Sequence, residues 1–204
     1  MVGMATAGLA ISPSLAVVAN NEIYVNKKLG IAFRIPGGWH FYSVQKMHEI
    51  FDAQILKPDA PLIGEYLEEL KSQSLVSIGM HPPDDGKGNK QFSPSIVLRL
   101  EAKDECIEFE DILDDSNSYL ESVTNGFRAI ENRPVSRICG YRALKGKYGY
   151  LFEAEGMSPT PIIGRSCIIE LESHFYTFNM YNSDPENQEI DAMFDQLESS
   201  IMIL

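Results

Sequence analysis

The stretch Tyr24-Val25-Asn26-Lys27-Lys28-Leu29-Gly30-Ile31-Ala32-Phe33-Arg34-Ile35-Pro36-Gly37-Gly38-Trp39 decides the fold. From Glu22 to Lys28 the residues alternate, with Ile23 and Val25 on the side opposite Tyr24, as a half-buried strand requires. Lys27-Lys28-Leu29-Gly30 turns the chain, and Gly30 supplies the conformational freedom a tight bend needs. Ile31 to Ile35 returns as a second short strand, which Pro36-Gly37-Gly38 closes. The stretch therefore predicts a β-hairpin with Gly30 near its bend, followed by Trp39 as a core plug.

Working outward, helical character runs from Ser43 to about Ile55. A second helix is predicted from Pro61 to Ser72, with Leu62, Tyr66, Leu67 and Leu70 on one face. Leu75 to Met80 reads as a strand, and the run from His81 to Asn89 as an exposed loop. Ser95 to Ala102 reads as a strand with Ile96, Leu98 and Leu100 on one face and Val97 on the other. Phe109, Ile112, Leu113, Leu120 and Val123 recur at helical spacing, and Asn125-Gly126 is read as the stop. Four strands then follow: Ala129 to Ile138, Tyr141 through Phe152, Ile162 to Leu171, and one around Tyr176, Phe178 and Met180. Such a meander is antiparallel. A last helix is predicted with Asp184 as cap, Pro185 in its first turn, and an apolar stripe of Ile190, Met193, Phe194, Leu197 and Ile201. That stripe needs a sheet face to cover, so the fold class is α+β, an antiparallel β-sheet flanked by helices.

A chain of 204 residues fits one domain and can bury about 70% of its unfolded surface without staples. Acids outnumber bases 29 to 17, for a net charge of −12. Phosphate backbones and anionic membrane surfaces repel such a molecule, which argues against nucleic acid as a partner. Cys106, Cys139 and Cys167 are odd in number and lack a C-x-x-C pair, which excludes a full disulfide framework and gives no zinc spacing.

Residues 1–20 form a separate, uncharged stretch of small and apolar residues broken by Pro13. Ala16-Val17-Val18-Ala19 ends it with small residues at the positions expected before a signal-peptidase cut. The segment reads as an export-type leader lacking a basic start; a flexible arm and a membrane anchor are the other two readings. Residues 21–204 then form a single domain.

The pattern Tyr24-x-Asn26-x-x-x-Gly30-Ile31-x-Phe33-x-Ile35-Pro36-x-x-Trp39 resembles the opening of PsbP-like domains. The later order of strand, helix, meander and C-terminal helix resembles that family too, over about residues 22 to 204. The resemblance implies an α/β/α sandwich, a form shared with the Ran-binding Mog proteins and a group of bacterial secretion chaperones. It implies a protein that binds or assembles other proteins and is not an enzyme. It assigns no residue a role, because Gly30, Pro36 and Trp39 serve a turn, a strand end and a core.

Each candidate site has a plainer reading beside it. Gly164-Arg165-Ser166-Cys167 lacks the second glycine of a nucleophile elbow. Cys167 and His174 make a nominal thiol–imidazole pair, with core plus turn as the alternative. Gly86-Lys87-Gly88-Asn89 lacks phosphate-loop spacing, and His81, Asp84 and Asp85 lack calcium-loop spacing. Asp104, Glu105, Glu108, Glu110, Asp111, Asp114 and Asp115 surround a helix start, where carboxylates complement the dipole; a docking face for a basic partner is the sharper reading. Trp39-His40-Phe41-Tyr42 is either a core plug or the lip of an apolar groove.

The expectation is accordingly a domain with no catalytic, cofactor-binding or metal-binding residues. It would be exported, to the periplasm, the outside of the cell or the thylakoid lumen, and would contact another protein through its acidic face without inserting in a membrane. An uncleaved N-terminus would instead place it in the cytoplasm as a secretion-type chaperone. A small-ligand carrier or enzyme with an apolar pocket near Trp39 is the third reading.

Overall fold

A computed structural model describes residues 17–19, 22–43, 54–57, 72–82, 92–103, 107–184 and 186–204. Residues 61–71 of the second predicted helix and the loop tip from Pro83 to Asn89 lie outside the described residues, as do residues 44–53 of the first helix; Ser72, the predicted helix end, is in neither helix nor strand. At the end of that first helix the reading is corrected: Gln54 forms a bridge with Ala154, and Ile55 N donates to Glu153 O at 2.7 Å.

The hairpin forms as read. Strand β2 (Ile23–Asn26) pairs antiparallel with β3 (Ile31–Arg34), Tyr24 opposite Phe33. Asn26 Oδ1 accepts from Leu29 N at 3.1 Å, and Gly30 crosses the bend at φ +72°. Two further strands complete a small sheet in the order β1-β2-β3-β11. They are β1 (Val17–Ala19), on the outer edge of β2, and β11 (Met202–Ile203), beside β3. The hairpin thus belongs to a second sheet rather than to the main one.

The main sheet contains β4 (His40–Tyr42), β5 (Gln73–Gly79), β6 (Ser95–Ala102), β7 (Asn125–Ile138), β8 (Tyr141–Phe152), β9 (Thr160–Glu170) and β10 (His174–Asn182). Their spatial order is β4-β5-β6-β10-β9-β8-β7, with every pairing antiparallel. The predicted meander is β7 to β10. Its first hairpin turns on Cys139-Gly140, both at positive φ (51° and 87°), the backbone of a two-residue turn that matches strand twist.

Both faces of this sheet are covered, so it forms the middle layer of a sandwich. Helix α1 (Ile112–Val123) packs Leu113 with Phe109, Leu144, Ile168 and Phe175 on one face. Helix α2 (Gln188–Ser200) and the small sheet cover the other, where Ile190, Phe194 and Leu197 meet Tyr24, Phe33, Ile96, Leu98, Cys167 and Phe178. The predicted stripe is correct, but the helix start is not. The chain first makes a turn, in which Asn187 N donates to Asp184 O. Asn187 is the cap, and its side chain accepts from Glu189 N at 3.1 Å.

The predicted stop at Asn125-Gly126 also needs correction. Helix α1 ends at Val123, and Asn125 already opens β7. Gly126, at φ +63°, sits where the β7–β8 register shifts between Asn125 and Arg128, so its freedom serves a β-bulge.

Candidate interaction surface

The aromatic run resolves into core. Trp39 is buried, with its ring edge-on to Phe194 at a centroid distance of 6.1 Å. Phe41 packs against the same cluster. Tyr42 packs with Val97 on the opposite face and donates to His81 O at 2.8 Å. His40 alone is exposed. The residues form a core plug with a histidine at the rim, not a groove lip.

Cys167 and His174 do not meet. Cys167 pairs with Phe178, four residues along β10 from His174, a separation of roughly 13 Å at strand spacing. Burial pushes the Cys167 thiol up to about 12, so no thiolate is available near neutrality. The His174 imidazole is held below its usual range by burial and then by Lys103. Asp84, Asp85 and Gly86 to Asn89 lie outside the described residues; among the described residues no three potential ligands gather for a metal.

Of the acidic stretch, Asp104 and Glu105 lie outside the described residues. Glu108, Glu110, Asp111, Asp114 and Asp115 are exposed around the start of α1. Part of this charge is answered internally. Glu110 pairs with Arg142, which also reaches Glu170 at 3.0 Å and lies over the Phe109 ring. Asn132 Nδ2 donates to Asp114 Oδ1 at 2.8 Å. A hydrogen bond from its own backbone and then the Arg142 guanidinium hold the Glu110 carboxyl below its ordinary value.

The sheet interior facing α1 carries a polar seam that sequence reading missed. Arg99 is almost fully buried, yet its Nε donates to Ser72 Oγ at 2.6 Å. Ser72 Oγ donates to Glu101 Oε1, and Thr177 Oγ1 to Glu101 Oε2, at 3.1 and 2.7 Å. Position in the alternation carried a signal, since Arg99 and Glu101 fall on the Val97 side of β6, opposite Ile96 and Leu98.

On the α2 face the charge is denser. Lys145 pairs with Glu198, Lys147 with Asp191 at 3.1 Å, and Arg165 with Asp195 at 2.8 Å. These pairs tie α2 to β8 and β9, beside a recess of about 60 Å³ bounded also by Glu131 and Arg133 of β7.

Beyond that recess the sheet ends at β7. Among the described residues this strand, 14 residues long, has β8 as its one neighbour in the sheet, and it is exposed over most of its length. Ile130 and Val135 are 44% and 38% exposed. Each sits where the ladder slips, between Ala129 and Glu131 and between Arg133 and Ser136. The strand bears Arg128, Arg133 and Arg137 against one acid, Glu131.

No family model and no curated protein matches the chain. Solved structures do. PsbP from the cyanobacterium Synechocystis sp. PCC 6803 superposes with a TM-score of 0.51 at 12% identity, covering 92% of this chain and 95% of that one. The fold is PsbP-like. Two weaker likenesses are LpqN of Mycobacterium tuberculosis, described as involved in cell envelope biogenesis, and the Ran-binding protein Mog1p of Saccharomyces cerevisiae. LpqN gives a TM-score of 0.48 at 14% identity over 84% of this chain and 82% of its own; Mog1p gives 0.46 at 11% over 91% and 96%. Among the described residues of this PsbP-like chain, no helix is long and apolar enough to cross a membrane.

Proposed function

We propose that this chain is a non-catalytic binding or assembly accessory that acts through contacts with another protein. The observation that carries the reading is the surface at the end of the main sheet: a long, exposed terminal strand with arginines and two aliphatic side chains displayed at bulges. Two facts about candidate chemistry support it. The Cys167 thiol is buried with its pKa raised, and the Trp39 ring is packed in the core. The PsbP-like fold is in keeping with it.

We further propose export, with the apolar segment ending at Ala19 as the leader and the single domain that follows it as the mature protein. A cut after Ala19 removes β1, which pairs with β2 from Val17↔Asn26 to Ala19↔Tyr24, and leaves β2 as an open edge. Determination of the mature N-terminus and compartment in the native host tests this. A start at Asn20 outside the cytoplasm is expected; an intact Met1 in the cytosol overturns export. A photo-crosslinking residue placed at Ile130 and, separately, at Glu108 tests the binding reading. A defined protein adduct at either position is expected, and none at either sinks it.

A further inference from the structure

A terminal strand directs alternate backbone N–H and C=O groups away from its one neighbour, and β7 does so over 14 residues. Its charge runs against that of the molecule, with three arginines and one glutamate in a chain of 29 acids and 17 bases. Glu131 is taken by Arg133, whose Nε and Nη2 donate to its two oxygens at 2.9 and 3.2 Å. Arg137 donates to Gly140 O, and among the described residues Arg128 has no carboxylate partner. Two guanidinium charges therefore stand unanswered near the ends of the exposed run, with Ile130 and Val135 between them.

We propose that the free edge of β7 receives an extended acidic segment of another protein by strand addition. Arg128 and Arg137 meet its carboxylates, and Ile130 and Val135 meet its aliphatic side chains. The inference rests on the accessory reading above and names the chemistry of the partner. In such additions backbone hydrogen bonds supply affinity and alternate side chains supply selection. Opposite charges facing each other across a strand pair favour the register in which they meet.

A second copy of this chain is the wrong occupant. Two edges of net charge +2 would be set against each other, on two molecules each carrying −12. The slips around Ile130 and Val135, together with Pro134, also bar a long flat pairing. They leave the short runs Glu131–Arg133 and Ser136–Ile138 in register with β8, so a segment reaching from Arg128 to Arg137 pairs in short stretches broken at the bulges.

The test uses the full chain, ¹⁵N-labelled, titrated with synthetic peptides of about ten residues, a common strand length. One alternates valine with glutamate and the other valine with lysine. The glutamate peptide is expected to shift the amides of 128–138 and slow their hydrogen exchange. Its affinity should fall about tenfold or more as NaCl rises from about 50 to about 500 mM, because exposed charges are screened. The lysine peptide should leave these amides unmoved. The double variant Arg128→Glu/Arg137→Glu should bind the glutamate peptide about tenfold or more weakly with an unchanged unfolding midpoint. The proposal is overturned by equal binding of both peptides, by no shift at millimolar glutamate peptide, by shifts confined to the recess beside α2, or by pairing of β7 with a second copy. A crosslinker that captures a protein from Glu108 but not from Ile130 would retain the accessory reading and remove this edge from it.

Discussion

Replacing Gly164 with alanine tests the register of the main sheet. Gly164 stands opposite Tyr148 in the β8–β9 pairing, and its backbone is not at positive φ. A Cβ there would lie 2.3 Å from Tyr148 Cε2 and Cζ and 2.8 Å from its hydroxyl. Relief requires the ring to withdraw by about 1 Å. The ring has little room to move: it is 5% exposed and lies between Phe127 and Tyr150, with centroids 6.2 and 6.3 Å away.

Overpacking of this kind costs about 1–3 kcal/mol. The lower entropy of an alanine-containing unfolded chain offsets about 0.4–1 kcal/mol of it. A net loss of about 1–2 kcal/mol is expected, a fall in Tm of about 2–8 °C for a chain of this size. Urea unfolding of Gly164→Ala, Tyr148→Ala and the double variant would measure it. Without the ring, Gly164→Ala should become neutral or stabilising, so the coupling has a predicted sign. A neutral Gly164→Ala in the otherwise unchanged protein would refute the reasoning. A slip of one residue would put Tyr148 on the other face of the sheet.

The remaining predictions concern burial and charge. Thiol labelling followed by peptide mapping at pH 8 should modify exposed Cys139 and leave Cys167 unreacted until the protein unfolds. Arg99→Met strands the Glu101 carboxylate beside Ser72 and Thr177, and should cost about 3 kcal/mol in denaturant titration, whereas Arg99→Met/Glu101→Leu should recover much of that loss. The folded-state pKa of His174 is depressed, so its contribution to stability is present above the unfolded value and lost as pH falls through the folded one. Ring-proton NMR should place its midpoint below the usual histidine range, and His174→Gln should flatten the acid limb of the stability curve.

Legibility followed side-chain periodicity. The hairpin, β6, α1 and the stripe of α2 each set apolar residues at period 2 or 3.6, and each appears near its predicted place. Strand β7 extends earlier than read because Asn125 to Arg128 carries no alternation and takes its conformation from pairing with β8. Asn125-Gly126 has the composition of a helix stop, yet Gly126 uses its positive φ at a bulge. Strand β1 sits in a run of small apolar residues whose composition signals a leader and whose pairing partner lies beyond the proposed cut. The separation of hairpin and main sheet was not legible either. It depends on the C-terminal residues Met202 and Ile203 returning to β3, a pairing distant in sequence.

The placement of charge connects the fold to the proposed surface. In a chain so acidic, bases are scarce, and Lys145, Lys147 and Arg165 lie together on β8 and β9. Helix α2 meets them with Asp191, Asp195 and Glu198 and so holds its apolar stripe against the core. Each such half-buried pair contributes about 1 kcal/mol at most, so hydrophobic burial, not charge, dominates the docking of α2. The pairs instead fix its orientation and consume the positive charge of the inner strands. Arg128 and Arg137, one strand further out, lie beyond the reach of that arrangement. A sheet that stopped at β8 would satisfy the helix equally well. The added strand brings Arg128, Ile130, Val135 and Arg137 to the surface together, and that association is what the β7 peptide titration interrogates.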